Sequence, residues 1–391
     1  MSNDSLIVGV AGAGAMGSGI AQVAAANGHK TILFDISKTV LENAEKKLQA
    51  NLDKLVQKNQ IANTDAIHIK NRISYASSLE AFKECGIVIE AIAENIEIKQ
   101  KLFVELEKFV TPECILTSNT SSLSITSIAG ACNENSRVIG IHFFNPAPIM
   151  PLVEIIPGLV TAEKTIIAVK KLIDSWGKTT VVAKDTPGFI VNRIARPFYG
   201  EAIRIYEEGI ASIQTIDNAM KEIGNFRMGP FELMDFIGND INYAVSETVW
   251  QQMFFDARYK PSITQKRLVE AKWLGRKTGR GYYYYAEGKI VSDDKIETNK
   301  QTQLYIFNRI ICMLINEAFD ALYLGIASRT DIEVAMTKGV NYPKGLLNWA
   351  DELGLVNVLA ILQGLQNEYG EERYRPSLLL KKMASENKNL K

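Results

Sequence analysis

Histidine is scarce in this chain of 391 residues, which has three, and cysteine is hardly more common, with four. Cys85, Cys114, Cys132 and Cys312 are scattered without a CxxC pair, which argues against a zinc site or a disulfide framework and leaves them as buried apolar residues; no metal is expected. Lysine-rich or arginine-rich runs are missing, and Lys+Arg and Asp+Glu both count 44, so the basic footprint of a nucleic-acid-binding protein is absent. No segment approaches the uninterrupted apolar length of a membrane span, and the opening MSNDSLIVGV has no basic region before its apolar run. These absences favour a cytoplasmic protein with a small-molecule partner.

What is present points to two or three domains, since 391 residues exceed one ordinary core and 47% are hydrophobic against 23% charged. The apolar run Leu6 to Val10 feeds into Gly12, Gly14 and Gly17 as GAGAMG and then an Ala-rich helical stretch. Strand, glycine turn and helix in that order suit a dinucleotide: Gly12 permits the turn, Gly14 lets the backbone approach a pyrophosphate, and Gly17 lets the helix pack against the strand. A second apolar run, Thr31 to Phe34, ends in Asp35, placed to accept ribose hydroxyls and to repel a 2′-phosphate, which favours NAD over NADP; Lys38 adds a positive charge nearby. Further apolar runs, Ile87 to Ala93 ending in Glu94, Ile115 to Leu116 leading into Ser118-Asn119-Thr120-Ser121-Ser122-Leu123, and Val138 to Phe144, alternate with helical patterns. Parallel βαβ units follow, with Glu94, Asn119 and Ser121 at the carboxyl edge of the sheet. Ser124 reads as a helix cap, Glu163 to Trp176 as a helix and Thr179 to Ala183 as a last strand. Between Ser37 and Ile61 a helical pattern carries Lys46, Lys47, Lys54 and Lys58 on what reads as a solvated face, with Lys58 also a candidate for a phosphate-bearing substrate.

In the stretch Arg137 to Ile156, His142 precedes Glu154 by twelve residues across a proline-broken segment. A histidine titrates near neutral pH and can take a proton from an alcohol, and a carboxylate on its other ring nitrogen sets the tautomer and steadies the imidazolium. The pair is read as a general base and its orienting partner on the strength of the rest of the chain; by themselves, a histidine and a glutamate at this separation are more often a core histidine and an unrelated surface glutamate.

Together, GAGAMG, SNTSSL, HFFNP, Glu154 and the DTPGFIVNR run of Asp185 to Arg193 resemble the 3-hydroxyacyl-CoA dehydrogenase family, in particular its bacterial 3-hydroxybutyryl-CoA members, from the N-terminus to about Tyr285. The resemblance implies NAD-dependent interconversion of (S)-3-hydroxyacyl-CoA and 3-oxoacyl-CoA, with an acyl-CoA thioester as partner. It assigns His142 as base, Glu154 as its carboxylate, and Ser121 and Asn192 to the surroundings of the substrate's 3-oxygen. The GAGAMG turn, including Ala15 and Met16, and Asp35 would hold the adenine-ribose and diphosphate; Glu94, Lys99, Asn119 and Asn145 would line the nicotinamide half. Lys277, in GRKTGRGYYY, matches a family lysine that reaches the cofactor, and Lys58 one that contacts coenzyme A, while Asn51 stands where the family has a serine for the same contact. Two other readings stay open on the residues: a 3-hydroxy-acid or sugar-acid dehydrogenase with a lysine base, and a non-catalytic NAD-binding relative.

From Pro187 on, the pattern is helical and written twice. Asn192-Arg193-Ile194 returns as Asn308-Arg309-Ile310, Glu201-Ala202 as Glu317-Ala318, Gly209 to Ser212 as Gly325 to Ser328 and Ala219-Met220 as Ala335-Met336, all 116 positions on. Asp235 and Gly238 pair with Asp351 and Gly354 at that offset, while RYKPS at Arg258 recurs as RYRPS at Arg373, 115 positions on. The expected architecture is an α/β Rossmann-type domain over 1–186 followed by two tandem all-α helical domains, 187–286 and 300–391. The linker, Glu287 to Lys300, contains AEGK and SDDK as turns. The second copy has no glycine fingerprint or histidine, so one active site is expected, with the two helical copies forming an intramolecular pseudo-dimer in a monomer or homodimer.

Overall fold

A computed structural model describes residues 6–291 and 296–386. It divides into two compact units at Thr186/Pro187. No helix among the described residues is long and apolar enough to cross a membrane.

The first unit runs β1 (Val8–Ala11), α1 (Ala15–Ala26), β2 (Thr31–Phe34), α2 (Lys38–Gln57), α3 (Asn63–Asn71), β3 (Ile73–Ala76), β4 (Ile87–Glu90), α4 (Ile96–Glu107), β5 (Ile115–Ser118), α5 (Ile125–Ala129), β6 (Val138–Phe143), β7 (Leu152–Pro157), α6 (Glu163–Ser175) and β8 (Thr179–Val182). The strands form one sheet in the order β3-β2-β1-β4-β5-β6-β7-β8. Strand order reverses beside β1, between β2 and β4, and the ends of β1 and β4 there form the crevice in which such sheets take ligands. Val8, Val10, Ile87, Ile89, Ile139 and Ile141 are almost wholly buried, as expected of strands covered on both faces. Each such side chain contributes about 1.5–3 kcal/mol of transfer free energy. The small residues Ala21, Ala24 and Ala25 let α1 lie close to this sheet.

Three features differ from expectation. The strand expected over Ile87 to Ala93 ends at Glu90, whose carboxylate takes the Ile92 N–H at 2.7 Å and turns the chain out of the sheet, so Glu94 lies in the following loop. The sheet is not wholly parallel: β7 pairs antiparallel with β6. The connection between them is only Phe144 to Pro151, too short for a crossover, so the chain can only fold back. β3 lies beyond β2 and had no counterpart in the sequence pattern. On α2 the buried face is Leu41, Ala44, Leu48 and Leu52, and Lys46, Lys47, Lys54 and Lys58 are exposed. Ser124 caps α5, and all four cysteines are buried and free.

The second unit contains α7 (Val191–Ile194), α8 (Arg196–Glu207), α9 (Ile213–Glu222), α10 (Pro230–Ile237), α11 (Asn239–Gln252), α12 (Ile263–Glu270), the hairpin β9 (Tyr284–Ala286) and β10 (Lys289–Val291), then α13 (Lys300–Tyr323), α14 (Arg329–Gly339), α15 (Leu346–Leu353), α16 (Leu355–Tyr369) and α17 (Leu378–Ser385). The AEGK turn is the two-residue loop of the hairpin, with Glu287 and Gly288 both at positive φ; SDDK lies outside the described residues. The duplication is structural: α9, α10 and α11 begin 116 positions before α14, α15 and α16, and Gly238 and Gly354 share an extended, positive-φ conformation. Asp217 accepts the N–H groups of Phe231 and Glu232 at the start of α10, and Glu333 accepts that of Leu347 at the start of α15. The change of offset falls in one loop, where the first copy has Met253 to Asp256 between helix and 3-10 turn and the second has only Gly370 and Glu371.

The two copies exchange buried ions. Arg193 of the first donates to Glu317 of the second at 2.6 Å, and Arg309 of the second donates to Glu201 of the first at 3.0 Å. Arg258 also reaches Glu317 at 3.1 Å and Arg373 lies 3.6 Å from Glu201; Tyr259 and Tyr374 each donate a hydroxyl to the same carboxylates, at 2.5 and 3.0 Å. This is the reciprocal pattern of a two-fold interface within one chain. Burial alone would push the Glu317 carboxyl up, but Arg193, Arg258 and the Tyr259 hydroxyl outweigh it and hold it below the usual range. A depressed folded-state value stabilises at neutral pH, and the contribution is lost as pH falls through it. Glu317→Ala removes the carboxylate that Arg193 donates to in the interior and leaves Arg258 with Asp320, and is expected to cost about 3–5 kcal/mol, read as the shift of the urea midpoint. An unchanged midpoint would show that the exchanged ions do not hold the copies together.

Candidate active site

The glycine turn follows from steric limits. Gly12 stands at φ +106, and a Cβ there would lie 2.6 Å from Ala91 O; a Cβ at Gly17 would lie 1.8 Å from Gly12 O. At Gly14 a Cβ would meet nothing within 4 Å, and Gly14 and Ala15 are exposed while Met16 is half-buried. No side chain caps the first turn of α1, so its N–H groups face outward from Gly14 with the positive end of the helix dipole. The open surface over Gly14 and these uncapped donors fit a dinucleotide diphosphate. At the end of β2 the Asp35 carboxylate accepts Ala13 N at 3.0 Å and Ser37 N at 2.9 Å, which ties the glycine turn to the neighbouring strand and aims a negative charge beside it.

At the ends of β4 and β5 a second group assembles. Asn119 follows β5, and its side-chain oxygen accepts the Phe143 N–H at 2.9 Å, joining β5 to the residue after His142. Glu94, with 38% of its side chain exposed, accepts from the Thr120 hydroxyl at 2.5 Å, from Ser121 N at 2.9 Å and from Ser121 Oγ at 3.3 Å, and lies 3.3 Å from Lys99 Nζ. Burial opposes its ionisation, but Lys99 and the hydrogen bonds of Thr120 and Ser121 prevail and hold its carboxyl below the usual range. Lys99 is itself buried from α4 and donates to Glu90 at 2.5 Å.

His142 and Glu154 stand directly opposite each other in the antiparallel β6–β7 register. Their side chains share one face of the sheet, and His142 Nδ1 lies 2.7 Å from Glu154 Oε2. Both are buried, and the His142 ring packs against Phe144 with centroids 4.5 Å apart. With the carboxylate accepting from Nδ1–H, Nε2 is the nitrogen that carries basicity. Asn145 is exposed in the loop after β6. That loop is held from below by Lys178, which donates to Ala147 O at 2.6 Å and Met150 O at 2.8 Å, and burial pulls its ammonium below the ordinary lysine value.

The remaining expected site residues lie elsewhere. Asn51 and Lys58 are both exposed, at α2 and its C-terminal cap, seven residues apart and so on one side of the helix. Asn192 belongs to α7 of the second unit, where its carbonyl accepts from Arg196 at 2.8 Å. Lys277, also in the second unit, is paired with Asp240 at 2.6 Å. Sequence reasoning missed Glu90 and Lys178. Glu90 carried a signal, a carboxylate inside the apolar run IVIEAIAE, whereas Lys178 shows none until its backbone partners are in place.

The chain is similar to known proteins along most of its length. The family model described as "3-hydroxyacyl-CoA dehydrogenase, NAD binding domain" matches residues 7–186, and "3-hydroxyacyl-CoA dehydrogenase, C-terminal domain" matches 188–285 and 305–391. The chain is 36% identical to 3-hydroxyadipyl-CoA dehydrogenase of Escherichia coli, covering 96% of this chain and 97% of that one. It is 44% identical to a probable 3-hydroxybutyryl-CoA dehydrogenase of Bacillus subtilis, over 71% of this chain and 96% of the relative. Among solved structures, 3-hydroxybutyryl-CoA dehydrogenase from Escherichia coli K12 superposes with a TM-score of 0.91 at 36% identity, covering 97% of this chain and 98% of the other.

The glycine turn yields a paired test. Gly17→Ala is expected to lower the melting temperature through its collision with Gly12, at a cost of about 1–3 kcal/mol. Gly14→Ala should stay within about 0.5 kcal/mol of the parent in stability yet weaken dinucleotide binding measured by calorimetry. Equal loss of stability in both would show that the space over Gly14 is structural.

Proposed function

The chain belongs to the 3-hydroxyacyl-CoA dehydrogenase family, and from that premise we propose that His142, held by Glu154, is the acid–base group of an NAD-dependent interconversion of (S)-3-hydroxyacyl-CoA and 3-oxoacyl-CoA. The observation that carries the assignment is the 2.7 Å contact of His142 Nδ1 with Glu154, which fixes the ring, and Nε2 is proposed to exchange the substrate proton. Bound NAD supplies the hydride acceptor at its nicotinamide in the oxidative direction. His142 takes the 3-hydroxyl proton at Nε2, and Glu154 holds the ring and balances the imidazolium that forms. In the reductive direction His142 returns that proton to the 3-oxygen. Ser121 is proposed to turn its hydroxyl from Glu94, to which it donates at 3.3 Å, to the same oxygen, while its N–H stays on Glu94 at 2.9 Å and holds the residue in place. Asn192 is assigned to the 3-oxygen on the resemblance alone, as are Lys277 to the cofactor and Asn51 and Lys58 to coenzyme A.

The diphosphate is assigned to the turn of Gly12, Gly14, Ala15, Met16 and Gly17, the adenine ribose to Asp35, and the nicotinamide half to Glu94, Lys99, Asn119 and Asn145. The Asp35 charge disfavours a 2′-phosphate, in keeping with NAD. Short acyl groups such as 3-hydroxybutyryl and acetoacetyl are proposed as substrate, following the names of the relatives, and a cytoplasmic location accords with the bacterial ones. Division of the second unit into two domains, 187–286 and 300–391, is proposed from the repeat.

The reaction is tested by following NADH absorbance with acetoacetyl-CoA. The parent protein should oxidise NADH, His142→Ala should lose about 10²–10⁴-fold in kcat, and Glu154→Gln about 10²-fold with little change in KM. No oxidation by the parent would sink the activity, and equal rates for His142→Ala would sink the base. Because the two helical copies satisfy each other's buried ions, we also propose that the chain is a monomer, with light scattering expected to return a mass near 43.4 kDa. Twice that mass would assign a second interface.

A further inference from the structure

Glu90 takes no part in the proton transfer described above, yet it is fully buried at the carboxyl end of β4 with Lys99 as its ionic partner. Its oxygens are filled: Oε1 by the Lys99 ammonium at 2.5 Å and the Ile92 N–H at 2.7 Å, Oε2 by the Ser118 hydroxyl at 2.5 Å. Lys99 lies 3.3 Å from Glu94 as well, and Glu94 is pinned in turn by Thr120 and Ser121. Among the described residues Lys99 is the basic partner of both carboxylates, so one ammonium serves two and the cluster holds one negative charge in excess. Ions this deeply placed cost several kcal/mol each to desolvate, and a matched pair would be the cheaper arrangement. The extra carboxylate is instead fixed by hydrogen bonds at the sheet edge where such folds bind their dinucleotide.

A nicotinamide ring is positively charged when oxidised and neutral when reduced, so a fixed negative charge beside it lowers the free energy of the oxidised form selectively. We propose that the Glu90–Lys99–Glu94 cluster biases the bound cofactor toward NAD+ over NADH, with Glu90 a positioning residue that acts through Lys99. This rests on the assignment of Glu94, Lys99 and Asn119 to the nicotinamide half. Loss of one carboxylate neutralises the cluster, whereas loss of packing alone weakens both forms of the cofactor alike; the ratio of the two affinities therefore separates charge from architecture.

The test is the dissociation constant of the full chain for NAD+, by calorimetry, and for NADH, by fluorescence. Glu90→Gln should raise the ratio Kd(NAD+)/Kd(NADH) by about 5-fold or more. Glu90→Asp, which keeps the charge, should leave the ratio near the parent value. If Glu90→Gln does not fold, Glu94→Gln removes one charge from the same cluster at a side chain that is 38% exposed, and is expected to raise the ratio in the same direction. A folded Glu90→Gln or Glu94→Gln with the parent ratio overturns the inference and leaves the site assignment standing. A parent protein that binds neither nucleotide removes the assignment itself.

Discussion

His142 and Glu154 are twelve residues apart in the chain and face each other because β6 and β7 run antiparallel in a register that makes them direct partners. Successive side chains on a strand alternate faces, so a slip of one residue would send the carboxylate to the other side of the sheet and leave the imidazole without its partner. The register is held by the hydrogen-bond ladder and by the apolar side chains Ile141, Val153 and Ile155, all buried. The surrounding structure serves the same end: Asn119 ties β5 to Phe143, and Lys178 holds the loop that reverses the chain between the two strands. One short hydrogen bond thus depends on three strands and a half-buried ammonium.

The second unit solves a different problem. Glu201, Glu317, Arg193 and Arg309 are buried ions whose short charge-to-charge hydrogen bonds cross from one copy of the repeat to the other. An ion in the interior is tolerable only when paired and hydrogen-bonded, so neither copy is expected to be satisfied alone. That accounts for two repeats closing into one compact unit. The copies have also diverged in one loop: the first carries Met253 to Asp256, whose Asp256 lies 3.6 Å from Arg375 of the other copy, and the second shortens it to Gly370 and Glu371.

Most of the first unit was legible because its elements are written in local terms. GAGAMG announces a turn through steric necessity, and the alternation of apolar runs with amphipathic stretches such as Leu41 to Leu52 announces strands and helices. The candidate site was legible where a residue has an unusual type for its position, as with His142 or Asp35. It was illegible where meaning depends on a distant partner. Glu90 takes its meaning from Lys99 and Ser118, and Lys178 from the carbonyls of Ala147 and Met150, partners that only the fold brings to them.

By itself the sequence determined the dinucleotide turn, the class of sheet and the duplication, since glycine sterics, hydrophobic periodicity and a constant offset of 116 positions are properties of neighbouring residues or of direct repetition. Tertiary structure alone decided that β7 runs against β6, that Glu154 therefore meets His142 at 2.7 Å, that one lysine serves two carboxylates, and that the repeats exchange their ions. Each of these is a pairing between residues far apart in the chain. Which pairing forms is set by burial of the whole, because a charge or a strand edge left without a partner in the interior costs more than any local preference can return.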